Sequence, residues 1–182
     1  MLSSHMRATS YFNKDDKMDS TQQFTQVEIP EIIKYPDSIL LETAQEVNNV
    51  DDKIRRYLQQ MKAAMDRYNG IGLAAPQIGI SLRLIIVRRD DWIYEFINPV
   101  ISWTQGLASD YEGCLSLPGE IWQVERSREI VIEGINSTGK EQSVLARGLT
   151  ARVFQHEVDH LNGILINSKG VLIPGEKSTS AV

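Results

Sequence analysis

Residues 155–163 read QHEVDHLNG, with His156 and His160 four positions apart and Glu157 between them. This feature most restricts the fold, because two imidazoles at that spacing can grip one metal ion when they share a face of an α-helix. Leu149 and Val153 continue the same face and would seat an ion against an apolar floor. Glu157 stands beside the first histidine, where metal-dependent hydrolases of the HExxH type keep a general base. Two histidines and two acids on a solvated helix face would leave the same pattern, so the motif alone does not decide.

A catalytic site of this type usually has three protein ligands and one position for water. Downstream of HEVDH the chain holds no histidine, and Glu176 is its single acid. Gly163 fits a metzincin-type HExxHxxGxxH pattern, but Ile166 stands where the third histidine would be. The candidate ligand is then upstream: Cys114, the chain's only cysteine, in DYEGCLSLPG. A thiolate is a soft, strong ligand and would complete a His2Cys set with a fourth position open. Two other readings of Cys114 stand beside this one, a small buried hydrophobe and a nucleophile needing a histidine base. A blue-copper site also uses His2Cys, yet it has no use for the glutamate of HEVDH.

A third stretch, GIGLAAPQIG at 70–79, carries its own chemistry. Gly70 and Gly72 permit close approach of another chain. Pro76 fixes the backbone ahead of Gln77, whose side-chain amide can donate to a developing oxyanion. The stretch lacks the GK[ST] ending of a phosphate loop. A plain glycine-rich turn is the competing reading.

The remaining chain reads as one α+β domain. Its 182 residues, 42% of them hydrophobic, suffice for a core of its own. A net charge of −5 argues against a general binder of nucleic acid or anionic membrane. No apolar run reaches the roughly 18 residues of a spanning helix, and a lone cysteine excludes an internal disulfide. The proline-punctuated IPEIIKYPDSILLETAQEVNNV is predicted to wrap the domain in extended segments and turns. Ile54, Leu58, Met61 and Met65 recur at helical steps, predicting an amphipathic helix capped by Asp51 or Asp52 and ending at Asn69-Gly70. Strands are predicted at 82–87 and 92–100, and a hairpin from 128–135 and 141–149 around Asn136–Gly139. A second helix should run from Thr150 to Asn162-Gly163. Residues 1–26 are expected to form a disordered extension and 171–182 a short flexible tail.

Together, GIGLAAPQ, EGCLS and QHEVDHLNG, in that order, resemble the three signature motifs of the peptide deformylase family. The likeness takes in PQIGISLRLIIV and the VER of 124–126, and so covers about residues 29–168. It implies a catalytic domain over 27–170, with antiparallel β-sheets around a central metal-binding helix. It implies an enzyme that removes the N-formyl group from the initiator methionine of nascent polypeptides and releases formate. By the same resemblance, Cys114, His156 and His160 would hold one divalent ion per chain, Fe2+, with Zn2+, Ni2+ or Co2+ as replacements. Glu157 would be the general base, and Gln77 and the Leu115 backbone N–H the oxyanion donors. Ile71, Glu112, Leu149 and Val153 would border the methionine pocket, and Gly70, Gly72 and Gly113 would line the peptide groove. Asp159 and Arg126 are a candidate supporting ion pair. The implied partners are N-formylmethionyl peptides, met near the ribosome without a C-terminal anchoring helix. The implied setting is a monomer in bacterial or phage-infected cytoplasm, an organelle being the weaker alternative, with no membrane or nucleic-acid site. The alternatives are a zinc endopeptidase of HExxH type and a non-catalytic metal-stabilised binding module.

Overall fold

Asp51 opens the first helix: its carboxylate accepts from the Ile54 N–H at 3.0 Å, and α1 follows over Asp52–Arg67. The apolar period then works as expected, with Ile54, Leu58, Met61 and Met65 all buried against Leu73, Leu84, Ile86 and Ile97. The helix ends at Tyr68, and Asn69 turns the chain with a φ of 54°. The computed structural model describes residues 28–175, so the expected 1–26 extension and most of the expected tail lie outside the described residues.

The strands are β1 (Gly72–Ala74), β2 (Leu84–Arg89), β3 (Trp92–Cys114), β4 (Leu117–Ile135), β5 (Glu141–Arg147) and β6 (Val171–Leu172). They form one antiparallel sheet in the order β1-β2-β3-β4-β5, with β6 on β4. The expected sheets are thus continuous, because β3 and β4 are long enough to span the whole molecule. The second predicted strand, 92–100, runs on to Cys114 through Asn98 and Pro99, residues that usually end a strand. The ladder skips between Ile97 and Val100, and this irregularity accommodates the proline, which has no N–H to donate. Asn98 there adopts a φ of 51° and clips the N-terminal segment, accepting from the Val47 N–H and donating to the Val47 carbonyl, both at 2.9 Å. Residues 28–50 otherwise wrap the domain as predicted, broken by one 3-10 turn at Ser38–Leu41.

The second helix, α2, spans Gly148–Leu161 and starts directly from β5. Gly148, at a φ of 56°, makes the corner, so the helix begins two residues before the predicted Thr150. Ala151, Val153, Phe154 and Leu161 pack on Ile85, Val87, Ile130 and Ile132, with Phe154 edge-on to Phe96 at 5.5 Å. The fold is α+β, an antiparallel sheet wrapped around a buried central helix.

Gly163 closes α2 at a φ of 71°, and a Cβ there would meet the Leu41 carbonyl oxygen at 2.5 Å. Gly139, in the β4–β5 turn, has a φ of 81° with nothing within 4 Å. Chemical denaturation should therefore separate them: Gly139→Ala is expected to cost about 1 kcal/mol and Gly163→Ala about 3 kcal/mol. Equal losses would mean that close packing against Leu41 does not hold the end of α2.

Candidate active site

Helix α2 delivers its polar residues into the interior: His156, Glu157 and His160 are each no more than 1% exposed. Their rings and carboxylate face the end of β3, where the ladder slips again between Glu112 and Cys114. This irregularity re-aims the thiol, and Cys114 Sγ stands 3.3 Å from His160 Nε2. One donor atom each from Cys114, His156 and His160 lies within 4.8 Å of the others.

The donor set fits a metal. A thiolate and an imidazole sharing one tetrahedral ion would have S and N about 3.5 Å apart, given ordinary zinc–ligand lengths. Buried polar atoms normally find partners. Among the described residues the buried side-chain atoms without one are His156 Nε2, His160 Nδ1 and both oxygens of Glu157. All four belong to the helix motif, and His156 Nε2, its other nitrogen held by Glu112, is the one a cation in the cluster would satisfy. The site is therefore a Cys-His-His metal-binding site.

The same groups also set one another's charge. Burial alone would raise the Cys114 thiol, but the His160 and His156 imidazoles hold it well below its usual range. Burial lowers His156, yet Cys114 and Glu112 outweigh this and bring it up to about 10. Burial pushes the Glu157 carboxyl up to about 7, against the pull of the two imidazoles.

Gln77 enters from the 3-10 turn after β1. Its Oε1 accepts from the Ala74 N–H at 2.9 Å, which commits the oxygen and turns the NH2 toward the site. That nitrogen lies 3.8 Å from Cys114 Sγ and 3.4 Å from Ser116 Oγ. Leu115 and Ser116 form the two-residue turn between β3 and β4, in which Cys114 pairs with Leu117. In such a turn the first residue's N–H takes no part in the turn's own hydrogen bond. Gly72 passes so close that a Cβ on it would lie 2.3 Å from Glu157 Oε1 and 2.6 Å from Val153 Cγ1. Gly70 is similarly close, its Cβ position 3.1 Å from Leu115 Cδ1, and Gly113 is buried beside Cys114.

Ile71, Leu149 and Val153 come together around a cavity of about 390 Å³, lined as well by Arg88, Arg89, Asp90 and Thr150. A larger hollow of about 650 Å³, between Asn98 and the β4–β5 strands, contains none of the predicted residues. Glu112 is not in the lining of the smaller cavity. Its carboxylate accepts from Arg126 Nε and Nη2 at 2.8 and 2.9 Å, from Arg152 Nη1 at 2.7 Å, and meets His156 Nδ1 at 2.9 Å. This contact fixes the proton on Nδ1 and presents Nε2 to the ligand cluster. Despite full burial, the Arg126 and His156 contacts hold Glu112 well below the usual carboxylate range. Arg126 also pairs with Asp159, as the sequence suggested, and Lys169 Nζ meets the same carboxylate at 2.7 Å.

Sequence reasoning missed Arg152, which further donates to the Val124 and Ala108 carbonyls at 2.8 Å. The available signal was a charge set in the apolar run Ala151-Arg152-Val153-Phe154. Ser116 was missed too, and no property of a lone serine would have marked it.

The family model of polypeptide deformylase matches residues 29–171. The peptide deformylase of Carboxydothermus hydrogenoformans is 44% identical over 138 residues, covering 76% of this chain and 91% of that one. Among solved structures, a peptide deformylase from Synechococcus elongatus in complex with actinonin superposes with a TM-score of 0.76 at 38% identity, covering 79% of this chain and 80% of that one. The Met-Ala-Ser-bound class I type b peptide deformylase of Acinetobacter baumannii gives 0.75 at 32% identity, covering 79% and 99%.

Glu112→Gln keeps the volume but removes the charge shared by two arginines and an imidazole. It should weaken metal binding about 10- to 100-fold in chelator competition and lower stability by about 3 kcal/mol. Unchanged metal affinity would show that Glu112 does not orient His156.

Proposed function

This chain belongs to the polypeptide deformylase family, and from that membership we propose how its own residues carry the reaction. The enzyme hydrolyses the formamide C–N bond at the amino terminus of formylated polypeptides, giving formate and a free amine. The observation that carries the residue assignment is the meeting of Cys114, His156 and His160, whose donor atoms lie within 4.8 Å, with Gln77 Nε2 3.8 Å from the Cys114 sulfur and Glu157 buried next to His156 on α2.

Cys114, His156 and His160 would hold the divalent ion, which we read as Fe2+ with Zn2+, Ni2+ or Co2+ as substitutes, and which would supply Lewis acidity that lowers the pKa of water toward neutrality. Glu157 is the base. Buried, with its pKa brought up to about 7, it takes a proton from the attacking water and returns it to the amine nitrogen as the C–N bond breaks. The Gln77 Nε2 amide and the Leu115 N–H donate to the formyl oxygen as it gains charge. Gln77 is ready for this because Ala74 already occupies its oxygen.

The methionine side chain fits the cavity walled by Ile71, Leu149 and Val153. Glu112, outside that lining, serves the site through its contact with His156 instead. Gly70, Gly72 and Gly113 are read as lining the peptide groove, where the substrate chain adds as an extended strand held by main-chain bonds. A related enzyme holds Met-Ala-Ser, which suits this mode of binding. The catalytic unit is residues 27–170. One chain supplies every ligand and donor, which supports a monomer acting where formylated chains emerge from the ribosome, in bacterial cytoplasm. None of the described helices is long and apolar enough to cross a membrane.

Purified protein should release formate from formyl-Met-Ala-Ser and leave the Met–Ala bond intact; cleavage of that bond would favour the endopeptidase alternative. Glu157→Ala should retain its metal and lose about 10²- to 10⁴-fold in kcat. Cys114→Ala should fail to hold stoichiometric metal by elemental analysis, and full occupancy would overturn the ligand set.

A further inference from the structure

The turn that carries Leu115 is unusual for its length. Two-residue hairpin connections favour turns with left-handed φ, because their twist matches that of the flanking strands. The other such turn in this sheet obeys: Asp90, between Arg89 and Trp92, has a φ of 54°. Neither Leu115 nor Ser116 is among the described residues with positive φ. The β3–β4 turn therefore lacks the left-handed φ of its counterpart, and contacts from outside the hairpin brace it.

That support comes from one short stretch, Ile33–Lys34–Tyr35. The Tyr35 N–H donates to the Ser116 carbonyl at 3.0 Å, and Lys34 Nζ donates to the Leu115 carbonyl at 2.6 Å. One residue back, the Ile33 N–H donates to the Gln77 carbonyl at 2.8 Å. Three consecutive residues thus tie together the two segments that bear the oxyanion donors, which are otherwise joined directly through the Gln77–Ser116 side-chain contact at 3.4 Å. Two of the three ties are main-chain bonds that any residue could make. The third depends on a side chain, and its donor carries a charge.

We propose that Lys34 is a positioning residue for the deformylation reaction: its ammonium clamps the Leu115–Ser116 peptide so that the Leu115 N–H stays aimed at the formyl oxygen alongside Gln77. The proposal rests on the reading of Gln77 and Leu115 as oxyanion donors. A donor that strengthens only as charge develops should affect kcat and leave ground-state binding alone.

The test is steady-state kinetics on formyl-Met-Ala-Ser with metal content matched among variants. Lys34→Met, which keeps the chain length and loses the charge, should lower kcat about 10- to 100-fold, the range that small misplacements near reacting atoms produce. KM should stay within about twofold of the wild type. Lys34→Arg should recover most of the loss, and the Leu115 amide resonance should move in Lys34→Met and return in Lys34→Arg. Lys34 is an exposed side chain, so both variants should fold. Gln77→Ala is the control. If it is slow and Lys34→Met keeps its kcat, or loses only in KM, this inference falls and the donor reading stands. If Gln77→Ala keeps full kcat, the donor reading falls and takes this inference with it.

Discussion

A fully buried carboxylate, Glu112, holds the two halves of the site together. Taking an ion out of water costs several kcal/mol, and the cost is recovered only when every lone pair is answered in good geometry. Here three guanidinium N–H groups and one imidazole do so, from β4 and from α2. Arg126 reaches on to Asp159, which lies between the two histidines on α2. The network therefore clamps the helix to the long hairpin at the level of the ligands. Cys114 lies two residues beyond Glu112 on the same strand, so the anchor that orients His156 also sets the distance of the sulfur from the helix.

Polar groups are otherwise well satisfied in the described interior, which makes the exceptions informative. The unpartnered buried side-chain atoms fall on three residues of one helix turn, inside a core of Leu, Ile, Phe and Val. Two acidic groups there are pushed in opposite directions by one environment. Imidazoles draw the Cys114 thiol down, while burial drives the Glu157 carboxyl up to about 7. One group held deprotonated beside another poised near neutrality suits the roles of ligand and base proposed for them.

How much of this could be read in the sequence depended on range. The helical period of Ile54, Leu58, Met61 and Met65, the cap at Asp51 and the Asn-Gly end of α2 are local signals, and each element formed where expected. The long strand was missed because Asn98 and Pro99 read as breakers, and only pairing with β4 carries the strand past them. Cys114 could be picked out because metal chemistry asked for a third donor and the downstream chain had none. Glu112 could not be given its orienting task the same way. Its contact with His156 spans 44 residues of sequence, and nothing in a glutamate's own neighbours announces a histidine that far away. Arg152 raised the same difficulty, since a buried arginine is recognised by its partners.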